Sequence, residues 1–249
     1  MKINVQIAVI GRFVRYDKGC CDINGVRTFF QPIVELANGR IRGFEALLRG
    51  NIPTDEIILR AQKTNDIVNL DRWSIANAIN SIPKLDPDQK LYINCHPKTL
   101  RLTNDLINYD TIQKSSILPE QIVIEITEHE FLELRTFWYH KKKLNEIGIK
   151  IAIDDFGKNI SDLQYLINLK PDIVKLDKLF AQEIFDPLPQ KYIKEIVQLH
   201  NKLNFEIVAE GIENHNQKSM YEMLGIEYGQ GWLFGKAQPE IDKQKYINI

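Results

Sequence analysis

The chain has 249 residues, 44% hydrophobic and 26% charged, with a formal net charge of −1; this is an ordinary soluble globular composition at about the length of one α/β barrel. The charge balance excludes a generally basic surface and argues against a nucleic-acid polymer as partner. No stretch reaches the roughly 18 uncharged apolar residues of a membrane span, and the three cysteines form neither a disulfide framework nor a CxxC, as expected in a reducing cytoplasm.

The opening MKINVQIAVI is short, is broken by Asn4 and Gln6, and runs into Arg12 and Arg15 instead of a small-residue cleavage site. It reads poorly as a signal peptide. Residues 1–28 are read as an N-terminal extension of unknown role, with β-like runs at Val5–Ile10 and Val26–Phe30 and a turn signal at Asn24-Gly25. Residues 29–249 are read as one domain. FFQPIVEL and RIRGFEALL flank Ala37-Asn38-Gly39, a hairpin signal that sets the first barrel strand antiparallel to the second.

Beyond Arg49 the pattern alternates. Apolar residues at helical spacing predict helices near Asp55–Thr64 and Leu70–Ile82. LYINC is a strand followed by a helical region over Pro97–Lys114. IVIEI is a strand followed by a helix over Glu128–Ile147, stopped by Gly148. On that helix Phe131, Leu134, Trp138 and Leu144 are expected to cover the barrel, with Lys141-Lys142-Lys143 on the solvated side. IKIAI, DIVKL, FEIVA and a weak run at Glu227–Gln230 are further strands, separated by helices near Ser161–Leu169, Gln190–Leu203 and Asn214–Leu224. The fold class is α/β: a (β/α)8 TIM-type barrel modified by an antiparallel first strand.

Polar residues recur where apolar runs end. Glu45 lies in IRGFEALLR, Asn94 ends LYIN, Glu125 ends IVIE, Asp154 and Asp155 end IKIAIDD, and Glu210 ends FEIVAE. A carboxylate beside a buried strand is costly unless it is paired or holds a metal. A barrel gathers such strand ends at one mouth, and oxygen-only donors suit Mg²⁺ or Mn²⁺ better than zinc. The pair Asp154-Asp155 reads either as a bridge between two cations or as a solvated turn or helix cap. Lys175 and Asp177 share a face by the two-residue strand period. Lys175 either orients a water or a phosphate oxygen, or closes a buried salt bridge. Arg49 is either a phosphate fork or an exposed strand-end side chain. His96, His129, His140, His200 and His215 are scattered, form no HExxH, and read as structural.

Together these segments resemble the EAL-domain family, the cyclic di-GMP phosphodiesterases. The resemblance rests on Glu45-Ala46-Leu47-Leu48-Arg49, Gln31-Pro32, Asn94, Glu125-Ile126-Thr127-Glu128, Asp154-Asp155-Phe156-Gly157, Lys175-Leu176-Asp177, Ala209-Glu210-Gly211-Ile212-Glu213 and Gln230-Gly231-Trp232-Leu233-Phe234. It implies that Glu45, Asn94, Glu125, Asp154, Asp155 and Glu210 ligate two cations, Mg²⁺ or Mn²⁺. It also implies that Lys175 and Gln230 belong to the catalytic constellation with Glu210 and Asp177. Gln31, Arg49 and Asp177 would contact cyclic di-GMP, Glu128 would steady the loop after Asp155, and the product would be linear pGpG. The family loop reads DDFG-x-GYSS, whereas Lys158-Asn159-Ile160-Ser161-Asp162 follow Gly157 here. In the family that loop couples metal and substrate binding to dimerisation, so a homodimer is admitted. The altered loop also keeps open a catalytically weak module, a cyclic di-GMP receptor or protein-interaction domain. An enolase-like barrel with one Mg²⁺ fits Lys175 but not the Asp154-Asp155 pair.

Overall fold

The computed structural model describes residues 25–102, 106–107, 109–127, 134–158 and 163–241. Their strands close into one barrel in chain order: β1 (Arg27–Glu35), β2 (Ile41–Arg49), β3 (Lys90–Asn94), β4 (Ile122–Thr127), β5 (Lys150–Phe156), β6 (Ile173–Leu176), β7 (Glu206–Ala209) and β8 (Tyr228–Gln230). β1 runs antiparallel to both neighbours, β2 and β8, and the other pairs are parallel. The β1–β2 turn forms as expected. Gly39 sits at φ 73°, where a residue without Cβ meets no clash, and Glu35 N donates to Arg40 O at 2.8 Å.

The helices outside the barrel are α1 (Thr54–Lys63), α2 (Ile67–Ser81), α3 (Pro97–Leu102), α4 (Tyr109–Lys114), α5 (Leu134–Glu146), α6 (Leu163–Leu169), α7 (Lys178–Gln182), α8 (Pro187–Leu203) and α9 (His215–Met223). The helix expected over Pro97–Lys114 is two short ones, and α7 is a turn of helix that periodicity did not reveal. The N-terminal run Val5–Ile10 and the first residues of the Glu128–Ile147 helix lie outside the described residues.

Alternation along the strands sorts side chains into two cores. Leu91, Ile93, Ile122, Ile124, Ile151, Ile153, Val174 and Leu176 point outward into the layer beneath the helices. Ile33, Tyr92, Val123, Ala152, Ile173 and Val208 point inward and, with Tyr228, plug the barrel. Parallel strands buried on both faces therefore read as continuous apolar runs.

Two expectations for α5 are corrected. Leu134 and Trp138 are exposed, and the inward face is Phe137, His140, Lys141 and Leu144; Phe131 lies outside the described residues. Lys141 is not on the solvated side. Its Nζ meets Asp172 Oδ1 at 2.9 Å and Lys170 O at 2.5 Å, and Asp172 Oδ2 accepts from Ile151 N at 2.8 Å. The lysine stem covers apolar surface while its charge ties α5 to the start of β5 and β6.

Below the plug, at the strand starts, lies a charged layer. The β1–β2 register passes from Ile33↔Gly43 to Val34↔Ile41, leaving Arg42 as the extra residue of a bulge. The bulge turns Arg42 under the barrel, where its guanidinium lies 5.3 Å from the Tyr228 ring centroid and 3.3 Å from Glu206. Lys150 reaches the same carboxylate at 2.8 Å. Burial works against the Glu206 charge, but bonds and attraction from Lys150 and Arg42 win and hold its pKa below the ordinary 4.5. A carboxyl lowered on folding adds stability that is complete above its unfolded pKa and lost as pH falls through the folded one. Glu206→Gln is therefore expected to cost about 1–3 kcal/mol at pH 7 and to flatten the acid side of the stability curve below pH 4.5. Urea unfolding at a series of pH values measures both effects.

Candidate metal centre

Each strand that supplies the plug supplies a polar residue one layer higher. Two positions beyond Tyr92, Val123, Ala152, Ile173, Val208 and Tyr228 stand Asn94, Glu125, Asp154, Lys175, Glu210 and Gln230. On the reversed strand β1 the order inverts, so Gln31 precedes Ile33 and lies in register with Glu45 of β2. The two-residue period thus carries the strand-end residues to one mouth, on a floor closed by the plug.

At its centre is Lys175, fully buried, whose Nζ lies 2.7 Å from Glu210 Oε1, 2.8 Å from Glu125 Oε1, 2.9 Å from Asp154 Oδ1 and 3.4 Å from Glu45 Oε2. Around them, Gln230 Nε2 donates to Glu45 Oε2 at 2.6 Å and Asn94 Nδ2 to Glu45 Oε1 at 3.0 Å. One ammonium does not offset four carboxylates in a largely buried site. Burial, only partly countered by Lys175, pushes the Glu125 carboxyl well above its ordinary value. The same causes raise Asp154 and bring Glu210 to about 8. For Lys175 burial acts to lower the pKa, but Asp154, Glu125, Glu210 and Glu45 outweigh it and hold the ammonium charged.

Asp155 joins through a second bulge. The β5–β6 register runs Ile153↔Val174 and then Phe156↔Leu176, so β5 carries one residue more than β6 over this step. Asp155 takes φ 55° there, a left-handed conformation that aspartate tolerates better than most residues. Consecutive side chains, which point to opposite faces in a regular strand, here both serve one cluster. Ligand oxygens of Glu45, Glu125 and Asp154 form one group within 4.8 Å, and those of Asp154, Asp155 and Glu210 form a second, with Asp154 in both. Both oxygens of Glu125 and Oδ1 of Asp154 are buried with no aligned hydrogen bond. Hard oxygens that share a single ammonium, beside a surplus of negative charge, fit divalent cations.

The remaining expected residues fall as follows. Asp177 lies just beyond β6 instead of on it. It caps α7, accepting from Leu179 N at 2.8 Å, and burial together with Asp155 raises its carboxyl. Gln31 donates to Gly235 O at 3.1 Å. Arg49 ends β2, with Nη1 on Leu48 O at 2.8 Å and Thr54 Oγ1 at 3.4 Å. Glu128 and residues 159–162 lie outside the described residues. Sequence reasoning missed Lys158, whose Nζ lies 3.0 Å from Asp155 Oδ2; it occupies the variable position of the family loop, so no motif marked it. His96 and His200 have the structural roles expected, the first 2.9 Å from Gln62 Nε2 and the second against Phe205 O.

Burial raises the Glu125 carboxyl and so disfavours its charge, and glutamine is its neutral isostere; Glu125→Gln should leave metal-free stability within about 1 kcal/mol of wild type. Mn²⁺ at a hundredfold excess over its Kd should stabilise the wild type by about 2.7 kcal/mol, and Glu125→Gln should lose most of that gain. Thermal unfolding with chelator and with Mn²⁺ measures the difference.

Comparison with known proteins agrees with this geometry. Residues 19–237 match the family model described as EAL domain. The Escherichia coli "Probable cyclic di-GMP phosphodiesterase PdeB" is 35% identical over 86% of this chain and 43% of its own length. The Escherichia coli "Blue light- and temperature-regulated antirepressor BluF" is 31% identical over 84% of this chain and 53% of its own. The chain therefore spans about half or less of the length of these relatives. A standalone versatile EAL protein from Vibrio cholerae, solved with c-di-GMP bound, superposes with a TM-score of 0.79 at 27% identity, covering 90% of this chain and 94% of that one. The Klebsiella pneumoniae BlrP1 manganese/cy-diGMP complex gives a TM-score of 0.77 at 29% identity, covering 86% and 56%. The closed barrel with its reversed first strand, the convergent strand-end carboxylates and these matches have one conclusion: the chain belongs to the EAL domain family.

Proposed function

We propose that this chain is a cyclic di-GMP phosphodiesterase that hydrolyses one phosphodiester bond to give linear pGpG with two cations, Mg²⁺ or Mn²⁺. The observation that carries the reading is Asp154, shared between two groups of carboxylate oxygens around one buried ammonium. The relative named as a probable phosphodiesterase and the neighbours solved with the cyclic dinucleotide support the same substrate.

Glu45, Asn94, Glu125 and Asp154 would hold one cation, and Asp154, Asp155 and Glu210 the other. When bound, such a pair lowers the pKa of a water and offsets charge on the phosphate in the transition state. Lys175 stays protonated among the carboxylates and directs a donor at the attacking oxygen or a phosphate oxygen. Glu210, just past β7 at the rim, is both ligand and the carboxylate placed to take the proton of the attacking water. Gln230 and Asn94 fix the Glu45 rotamer through both its oxygens. Arg49 at the end of β2 is assigned to a substrate phosphate, Gln31 to a guanine, and Asp177 to the substrate side of the Asp155 edge. Glu128 is assigned to the loop after Asp155.

One observation favours a second reading, a receptor that binds the dinucleotide but turns it over slowly. Lys158 already neutralises Asp155, where a cation ligand is required. The enzyme reading also includes a cytoplasmic location and a homodimer, the latter checked by light scattering.

Purified protein with cyclic di-GMP and Mn²⁺ should yield pGpG on chromatography, and excess EDTA should abolish the product. Glu45→Ala and Asp154→Ala should each lower turnover at least about a hundredfold with the fold intact. Undiminished hydrolysis in EDTA would end the metal mechanism. Wild-type binding without product would favour the receptor.

A further inference from the structure

Trp232 is 62% exposed, although it lies two residues past Gln230 and so at the catalytic mouth. Its neighbours in the loop are held firmly. Gly231 presses on the segment after β7 so closely that a Cβ would stand 2.0 Å from Ile212 O. Ile212 N donates to Gln230 O and Leu233 N to Ile212 O, both at 3.1 Å. Phe234 is buried, Gly235 O accepts from Gln31 at 3.1 Å, and Gln238 exchanges two backbone bonds with Phe30, at 2.7 and 3.0 Å. The backbone that carries Trp232 is thus tied to Gln230 on one side and to Gln31 on the other, both in the proposed site. The indole itself is left in water.

One contact to the ring is a cation: Lys236 Nζ lies 4.7 Å from its centroid. A flat aromatic face on a fixed backbone, with a cation beside it, is the combination that binds nucleobases by stacking and backbone phosphate by charge. Fixing the loop beforehand removes ordering cost at binding. We propose that Trp232 is a stacking surface for one purine base of a cyclic dinucleotide, with Lys236 facing the adjoining phosphate. The inference rests on the phosphodiesterase reading of the same site and adds a specificity-determining residue to it.

The test compares wild type, Trp232→Phe and Trp232→Ala on two substrates. With cyclic di-GMP, Trp232→Ala should raise KM by about tenfold, within the range for loss of one base–aromatic stack, while kcat changes far less. Trp232→Phe should retain most of the affinity. On bis(p-nitrophenyl) phosphate, which carries no purine, the loss should be small by comparison. In Ca²⁺, cyclic di-GMP should quench tryptophan fluorescence in wild type and less in Trp232→Phe. If wild type hydrolyses cyclic di-GMP and Trp232→Ala has the same KM and Trp232→Phe the same quenching, this inference alone fails. Equal loss of kcat on both substrates would make Trp232 a support for the Gln230 loop and also overturn it. A wild type that neither binds nor hydrolyses cyclic di-GMP would overturn the phosphodiesterase reading and this inference together.

Discussion

Four carboxylates around the Lys175 ammonium leave a negative surplus inside a barrel, and the rest of the architecture answers to that surplus. Water cannot reach from below, because the Ile33–Tyr92–Val123 plug closes the floor. Proton uptake by Glu125 and Glu210 or the arrival of cations is what remains. A site arranged this way destabilises its own fold when empty and is stabilised by its ligand. The stability that offsets it comes from the continuous layer between strands and helices, where burial of each large aliphatic side chain contributes about 1.5–3 kcal/mol.

The same layering explains the charge at the other end. Arg42, Lys90 and Lys150 gather around Glu206 at the strand starts, and burial plus mutual repulsion with Lys150 and Arg42 lowers the Lys90 pKa. Negative charge therefore gathers at the candidate metal centre and a cluster of paired charges at the opposite end, with an apolar layer between. Tyr92 belongs to that layer and is wholly buried.

Much of this was legible because parallel strands are apolar on both faces, so that any polar residue in one stands out. Glu45, Glu125, Asp154, Lys175 and Glu210 were visible for that reason, and Asn38-Gly39 announced the reversed first strand. What was hidden depends on contacts far apart in the chain. Lys141 looks like its neighbours Lys142 and Lys143; Asp172 and Lys170 O, on the turn before β6, take it out of solvent. The bulges at Arg42 and at Asp154-Asp155 are relations between two strands and leave no mark in either one. The residues that plug the barrel are apolar like those that face the helices, so only register separates them. α7 is too short to show a period, and the break in Pro97–Lys114 has no proline or glycine to announce it.

The reversed first strand has a further consequence for how such a barrel can be governed. In an all-parallel barrel the chain enters at the face opposite the chemistry. Here Arg27, where β1 begins, pairs with Arg49, where β2 ends, so the barrel's first strand starts at the rim of the candidate metal centre. The chain leaves the barrel at the same rim, since β8 ends at Gln230 and Gln238 lies bonded to Phe30. Any module joined to the chain just before β1 or beyond Gln238 would be tethered beside the mouth of the candidate metal centre, able to cover or expose it by a small rigid-body movement, without strain having to pass through the barrel wall.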